Sequence, residues 1–204
     1  MKLFSNKMAP NARKVSIYLK EKKIAPEFET IEIDLMSGEQ YRVEYQMINP
    51  LGKVPVLELD DGTYITESLS IIEYFEEIYP DPSLTGDTPE ERAKIKAIER
   101  FIDFEIMGTM GIIAHNMMPL FSERFKQSQD VIDYGRARQA EALDHLNNFI
   151  GERDFVYEDK ASIADITLFV TVESAYMLKA HPDPKYNNIL RCYEHFSERG
   201  SQKW

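Results

Sequence analysis

Two kinds of periodicity divide this 204-residue chain into an α/β half and an all-α half. The first eighty residues alternate short apolar runs with helix-spaced apolar positions. A stretch rich in Pro, Asp, Gly and Thr covers 80–88, and no convincing strand follows it. The Asp60-Asp61-Gly62 turn, set between apolar runs, adds a hairpin signal. Together these predict an N-terminal domain with a mixed four-stranded sheet and helices, followed by an all-helical C-terminal domain.

In chain order, residues 2–5 form a short strand around Leu3 and Phe4, and 6–10 a loop. Residues 11–23 read as a helix: Ala12, Val15, Tyr18 and Leu19 recur at helical spacing, and Lys20, Lys22 and Lys23 suit the negative end of its dipole. Pro26 breaks it. Residues 28–33 alternate imperfectly as a second strand, and 37–47 predict a short polar helix closed by Asn49-Pro50. Val54-Pro55-Val56-Leu57 is a strand-like run containing a proline, which lacks an N–H and belongs on an edge or in a turn, in either the trans or the cis form. In the cis form the Val54 amide and carbonyl turn outward, free for a ligand. After the hairpin come Tyr64-Ile65 and then Thr66-Glu67-Ser68, standing before Leu69, Ile71, Ile72, Phe75 and Ile78 at helical spacing. Strand-helix-strand-helix-strand-strand-helix is the order of a thioredoxin-like domain, placed at 1–80, with a linker over 81–88 and the helical domain over 89–204.

The second half opens on Thr88 as N-cap, Pro89 at the first helical position and Glu90-Glu91 in the first turn. Apolar positions continue through Ile95, Ile98, Phe101, Ile102, Ile106 and Ile113; Gly108, Gly111 and Pro119 imply a bend or break. Further helices are predicted over 127–150, 163–178 and 185–199. Ser162 and Asp165 form a capping-box pattern before a nearly apolar helix, which should be the buried centre of the domain; both serve folding rather than chemistry.

Composition limits the functions available. With 35 acidic and 24 basic residues, the net charge of −11 argues against a nucleic-acid binder, which needs basic patches to neutralise phosphates. No run approaches the length of a membrane span, and the first residues enter a strand directly without a signal peptide. The single Cys192 excludes an internal disulfide and a cysteine zinc site, and the four histidines show no metal spacing. A cytoplasmic protein without metal is expected.

The region with chemical content is 49–77. Glu67-Ser68 lies at a helix start, where unpaired N–H groups and the dipole favour an anion. The Ser68 hydroxyl can bond that anion while the Glu67 carboxylate holds an ammonium, a pairing that suits an amino-acid or γ-glutamyl end. This stretch, with Val54-Pro55 before it, resembles the glutathione-binding half of the cytosolic glutathione S-transferases, in which a Val–cis-Pro and a Glu/Gln-Ser pair hold glutathione. The resemblance extends over essentially the whole chain. It implies glutathione as co-substrate bound by Lys53, Val54, Pro55, Glu67 and Ser68, with Lys53 reaching the glycine carboxylate, and a homodimer.

The resemblance also implies that a residue in the first loop or at the start of the first helix activates the thiol by stabilising thiolate, the nucleophile. Members commonly carry Cys-Pro or Ser-Pro there, but Ala9-Pro10 offers neither thiol nor hydroxyl and excludes a mixed disulfide at that position. The candidates are Asn11, Ser5 and, more weakly, Asn6. Pro10-Asn11, with Lys14-Val15, is similar to Ure2-like transferases, in which an Asn contacts the thiol. The plainer reading is that Ser5 ends a strand and Asn11 caps a helix. A small electrophilic or hydrophobic substrate would meet a Met-rich wall of Met107, Met110 and His115, extended by Met117, Met118 and Phe121. The implied activity is glutathione conjugation, or a related glutathione-dependent reduction or isomerisation. The alternative is a non-catalytic regulator on the same fold, like stringent starvation protein A, which the missing Cys or Ser before Pro10 favours.

Overall fold

The computed structural model describes residues 1–124 and 126–202. They divide into two units: 1–84 with 200–202, and 85–199.

The first unit is built on strands β1 (Lys2–Ser5), β2 (Glu29–Glu32), β3 (Val56–Glu58) and β4 (Tyr64–Thr66) in the order β2-β1-β3-β4. β1 runs parallel to β2 and antiparallel to β3, which pairs antiparallel with β4. Successive side chains of a strand point to opposite faces. Phe4 and Val56 pack with Tyr45 and Ile33 on one face, while the alternate residues Leu3 and Leu57 are buried on the other. Helices α1 (Pro10–Glu21) and α3 (Ser68–Ile78) pack together and bury Val15, Ile17, Ile71, Ile72 and Phe75. The one-turn α2 (Val43–Gln46) supplies Tyr45.

The polar helix predicted over 37–47 does not form as one piece. Gly38 has φ +76° and Arg42 is extended, so the segment splits into a 3-10 turn, Glu39–Tyr41, and α2. The hairpin closes as expected: Leu59 donates to the Thr63 carbonyl at 2.8 Å, and Gly62 takes the positive φ that the turn needs. Val54-Pro55 is cis, and so is Asp81-Pro82, which the sequence reading did not anticipate.

The second unit is all-helical among its described residues. Helix α4 (Pro89–Phe101) begins with the Thr88 cap, whose hydroxyl accepts from the Glu91 N–H. It continues through a π-helical stretch, Ile102–Gly108, into α5 (Thr109–Met117). The predicted bend at Gly108 and Gly111 is thus a widened turn in an unbroken helix. The end comes only where Pro119 forces Met118 out of the helical region. Helices α6 (Gln129–Ile150), α7 (Ile163–Met177) and α8 (Asn187–Ser197) follow. Ile98, Ile102, Ile106, Leu146, Leu168 and Ile189 are part of their common core. Helix α7 is buried along most of its length.

Candidate functional site

Helix α3 starts without a side-chain cap. Its first helical bond runs from Ile71 to the Glu67 carbonyl, so the N–H groups of Ser68, Leu69 and Ser70 precede the intrahelical ladder. Glu67, the residue before the helix, has φ 66° and ψ 125°, a conformation that L side chains rarely adopt. A non-glycine residue held there costs on the order of 1–3 kcal/mol, and such strain concentrates at ligand sites. Ser68 is 7% exposed, and its hydroxyl donates to Asn11 Oδ1 at 3.2 Å.

That bond brings two sequence candidates together. Asn11 is the second residue of α1 and exposed; the N-cap is Ala9, with no side-chain bond, so Asn11 does not cap the helix. With Oδ1 engaged by Ser68, the N–H groups of the Asn11 amide are the ones left to donate. Ser5 ends β1 and is 3% exposed; its carbonyl accepts from the Ile33 N–H at 2.8 Å. Asn6 is tied into the loop through both ends of its amide. Its amide donates to the Ile33 carbonyl at 2.9 Å, and its Oδ1 accepts from the N–H groups of Met8 and Ala9 at 2.8 and 3.2 Å. Arg13, 3% exposed, donates to the Gln202 carbonyl at 2.7 Å.

The Val54 turn is anchored from behind. The Lys53 carbonyl accepts from the Tyr45 hydroxyl and from the Asn49 amide, both at 2.8 Å, while the Lys53 side chain is exposed. Asn49 also accepts the Leu51 N–H at 3.1 Å, closing the Asn-Pro-Leu-Gly turn. Among the described turns and loops, neither the N–H nor the carbonyl of Val54 has a backbone partner. Pro55 is buried and Val54 half-buried. Sequence reasoning missed Tyr45 and Asn49 as anchors. An Asn two residues before a turn glycine's neighbour is a usable signal for the second, but the reach of Tyr45 depends on tertiary packing.

The Met-rich stretch lies in the helical unit. Met110, Met117 and Met118 line a cavity of about 310 Å³ bounded wholly by residues of that unit. Met107, 8% exposed, and the exposed His115 are not among its lining residues; the His115 ring meets Phe121 edge-on at 4.3 Å. Trp204 lies outside the described residues.

Ser162 and Asp165 form the full capping box. Asp165 accepts from the Ser162 N–H and hydroxyl at 2.8 and 2.9 Å and from the Val156 N–H at 2.8 Å. Burial nevertheless pushes its carboxyl up to about 6. The Cys192 thiol, 2% exposed, is pushed by burial up to about 12, which leaves it unionised and unreactive near neutral pH. Among the described residues no group of three His, Cys, Asp or Glu is placed to hold a metal ion.

Residues 3–83 match the profile of the glutathione S-transferase N-terminal domain, and 109–200 that of the C-terminal domain. Glutathione S-transferase F10 of Arabidopsis thaliana is 31% identical, over 95% of this chain and 90% of its own length. Probable maleylacetoacetate isomerase 1 of Drosophila melanogaster is also 31% identical, over 91% of this chain and 72% of its own. The crystal structure of Gtt2 from Saccharomyces cerevisiae superposes with a TM-score of 0.91 at 28% identity, covering 100% of this chain and 99% of that one. The profiles, the relatives and the fold agree: the chain belongs to the glutathione S-transferase family and is an enzyme of that family.

Proposed function

We propose that the protein binds glutathione in its first unit and activates the thiol through Asn11. The observation that carries this reading is the uncapped start of α3, with Glu67 held at positive φ and Ser68 bonded to Asn11. The γ-glutamyl carboxylate takes the N–H groups at that helix start, where the dipole favours an anion. The Glu67 carboxylate holds the neighbouring ammonium. The free Val54 peptide pairs with the backbone of the bound tripeptide, and Lys53 meets its glycine carboxylate. Domain limits of 1–80 and 89–204, and assembly as a homodimer, belong to this same proposal.

Asn11 donates an N–H to the glutathione sulfur and stabilises thiolate without taking the proton. One preorganised donor of this kind is worth about 10²–10³ in rate. Ser5 is the second candidate, and its 3% exposure argues against it. Asn6 is spent on the loop. The regulator reading leaned on the absence of a donor at Ala9; the exposed amide of Asn11 supplies one two residues later. The acceptor is a small electrophilic or hydrophobic molecule, and isomerisation through reversible addition of the same thiolate is the second reading, favoured by the isomerase among the relatives.

The test is an ultraviolet titration of thiolate in the glutathione complex for the wild type, Asn11→Ala and Ser5→Ala. A thiol pKa depressed in the wild type and returned toward that of free glutathione in Asn11→Ala supports the assignment. An undisturbed pKa in all three proteins, or a loss confined to Ser5→Ala, refutes it.

A further inference from the structure

Besides the Ser68–Asn11 bond, polar side chains join helices α1 and α3 at a second place. Tyr18 on α1 is fully buried, and its hydroxyl donates to Glu76 Oε2 on α3. Just past the end of α1, Lys22 Nζ lies 2.9 Å from the same oxygen; the Lys22 side chain is fully buried and that of Glu76 is 12% exposed. The chain that leaves α3 completes both groups. Glu76 Oε1 accepts the Leu84 N–H at 2.9 Å, and Lys22 Nζ donates to the Pro82 carbonyl at 2.6 Å. Burial, reinforced by the bond to Glu76, holds the Tyr18 hydroxyl well above its ordinary pKa, so it stays a donor at any working pH.

Tyr18 stands about two turns beyond Asn11 on α1, and Glu76 about two turns beyond Ser68 on α3. The two helices therefore run side by side in the same direction, with a polar link near each end. The buried side chains between the links, Val15, Ile17, Ile71, Ile72 and Phe75, are apolar, and apolar attraction has no direction. A buried ion pair adds little net stability, because desolvation offsets its attraction; its best-attested use is to fix register. Register matters at the other end of these helices. A slide of α1 by one residue moves it about 1.5 Å, and a misplacement of about 1 Å near a reacting group can cost about 100-fold in rate.

We propose that Glu76, gripped by Tyr18 and Lys22, is a positioning residue of the thiol site: the network sets the register of α1 against α3 and so holds the Asn11 amide where it meets the glutathione sulfur. This rests on the reading of Asn11 as the thiol donor. The test is a double-mutant cycle of Tyr18→Phe, which removes one buried hydroxyl, with Asn11→Ala. The readouts are conjugation of chlorodinitrobenzene and ultraviolet titration of the bound thiol. Tyr18→Phe should lower kcat about tenfold and raise the thiol pKa toward that of free glutathione. It should leave KM for glutathione unchanged, because the α3 start and the Val54 turn keep their places. In the Asn11→Ala background it should change nothing further. Glu76→Gln, which keeps the shape and loses the charge facing Lys22, should act in the same direction. Ile189→Val, a change in the helical core of similar stability cost, should leave kcat intact. Two results would overturn the proposal whatever Asn11→Ala does alone: a Tyr18→Phe loss repeated in full in the Asn11→Ala background, or an equal loss in Ile189→Val. Wild-type kcat and thiol pKa in folded Tyr18→Phe and Glu76→Gln, beside an impaired Asn11→Ala, would remove this proposal and leave the Asn11 reading standing. An inert Asn11→Ala would remove both.

Discussion

Two helix starts in this molecule look alike in sequence and are used in opposite ways. At the start of α3 stands Thr66-Glu67-Ser68, and at the start of α7 Ser162 with Asp165; each offers a hydroxyl and a carboxylate beside a helix N-terminus. At α7 the protein's own side chains satisfy the end groups, and the capping box is closed and buried. At α3 there is no side-chain cap, the preceding residue is strained, and the serine hydroxyl turns to Asn11 instead. Orphan N–H groups must find a partner. Where the chain supplies it, the bonded carboxyl group serves the fold; where it does not, the end stays open to a ligand.

Substitutions at the two ends should therefore have separate consequences. The largest effect is expected from Asn11→Ala, which should lower kcat/KM for glutathione conjugation of chlorodinitrobenzene by about 100-fold. Chemical denaturation should show almost no loss of stability, because the side chain is exposed. Asp165→Ala reverses the pattern. It orphans two buried N–H groups and a hydroxyl, and should cost about 3 kcal/mol in urea unfolding at about pH 4, while glutathione affinity in the surviving fold is unchanged. Equal effects of both variants on stability and affinity would erase the distinction.

Glu67→Gly sharpens the contrast. It relieves the positive φ and should stabilise the protein by about 1 kcal/mol, net of the entropy glycine adds to the unfolded chain. It should also weaken glutathione about tenfold, by removing the partner of the ammonium. A stability gain with no loss of affinity would mean that the strain serves no ligand.

The pH dependence of the α7 end has a definite sign. Because the folded Asp165 carboxyl titrates near 6, above its ordinary 3.8, the fold favours the protonated form. Its contribution is full below about pH 3.8 and is lost as the pH rises through about 6. The stability gap between the wild type and Asp165→Ala should shrink over that window and level off above it. Smallest of all should be the response of Cys192: a thiol reagent at neutral pH should leave it unmodified in the folded protein and label it on unfolding.

Much of this was legible beforehand because local chemistry writes it. The hairpin turn at Gly62, the Thr88 cap and the Ser162–Asp165 box depend on residues within a few positions of one another. The order of strands and helices follows from periodicity. What was not legible depends on distant partners or on backbone angles that no residue type announces. The φ of Glu67, the second cis bond at Asp81-Pro82, the split of 37–47 at Arg42 and the π-helical turn at 102–108 are of that kind. For the site, the residue types could be named in advance, but the bond from Ser68 to Asn11 joins positions 57 apart and required the fold. The Met-rich stretch shows the limit most clearly. Its residues share a composition, yet Met110 lines the helical cavity and Met107 does not.

The most direct measurement is the affinity of glutathione against that of its analogue lacking the γ-glutamyl carboxylate, by calorimetry on the wild-type protein. If the bare end of α3 grips that carboxylate, the analogue should bind about 100-fold more weakly, the combined effect of charge-assisted bonds to several N–H groups. Equal affinity for the two would contradict the account.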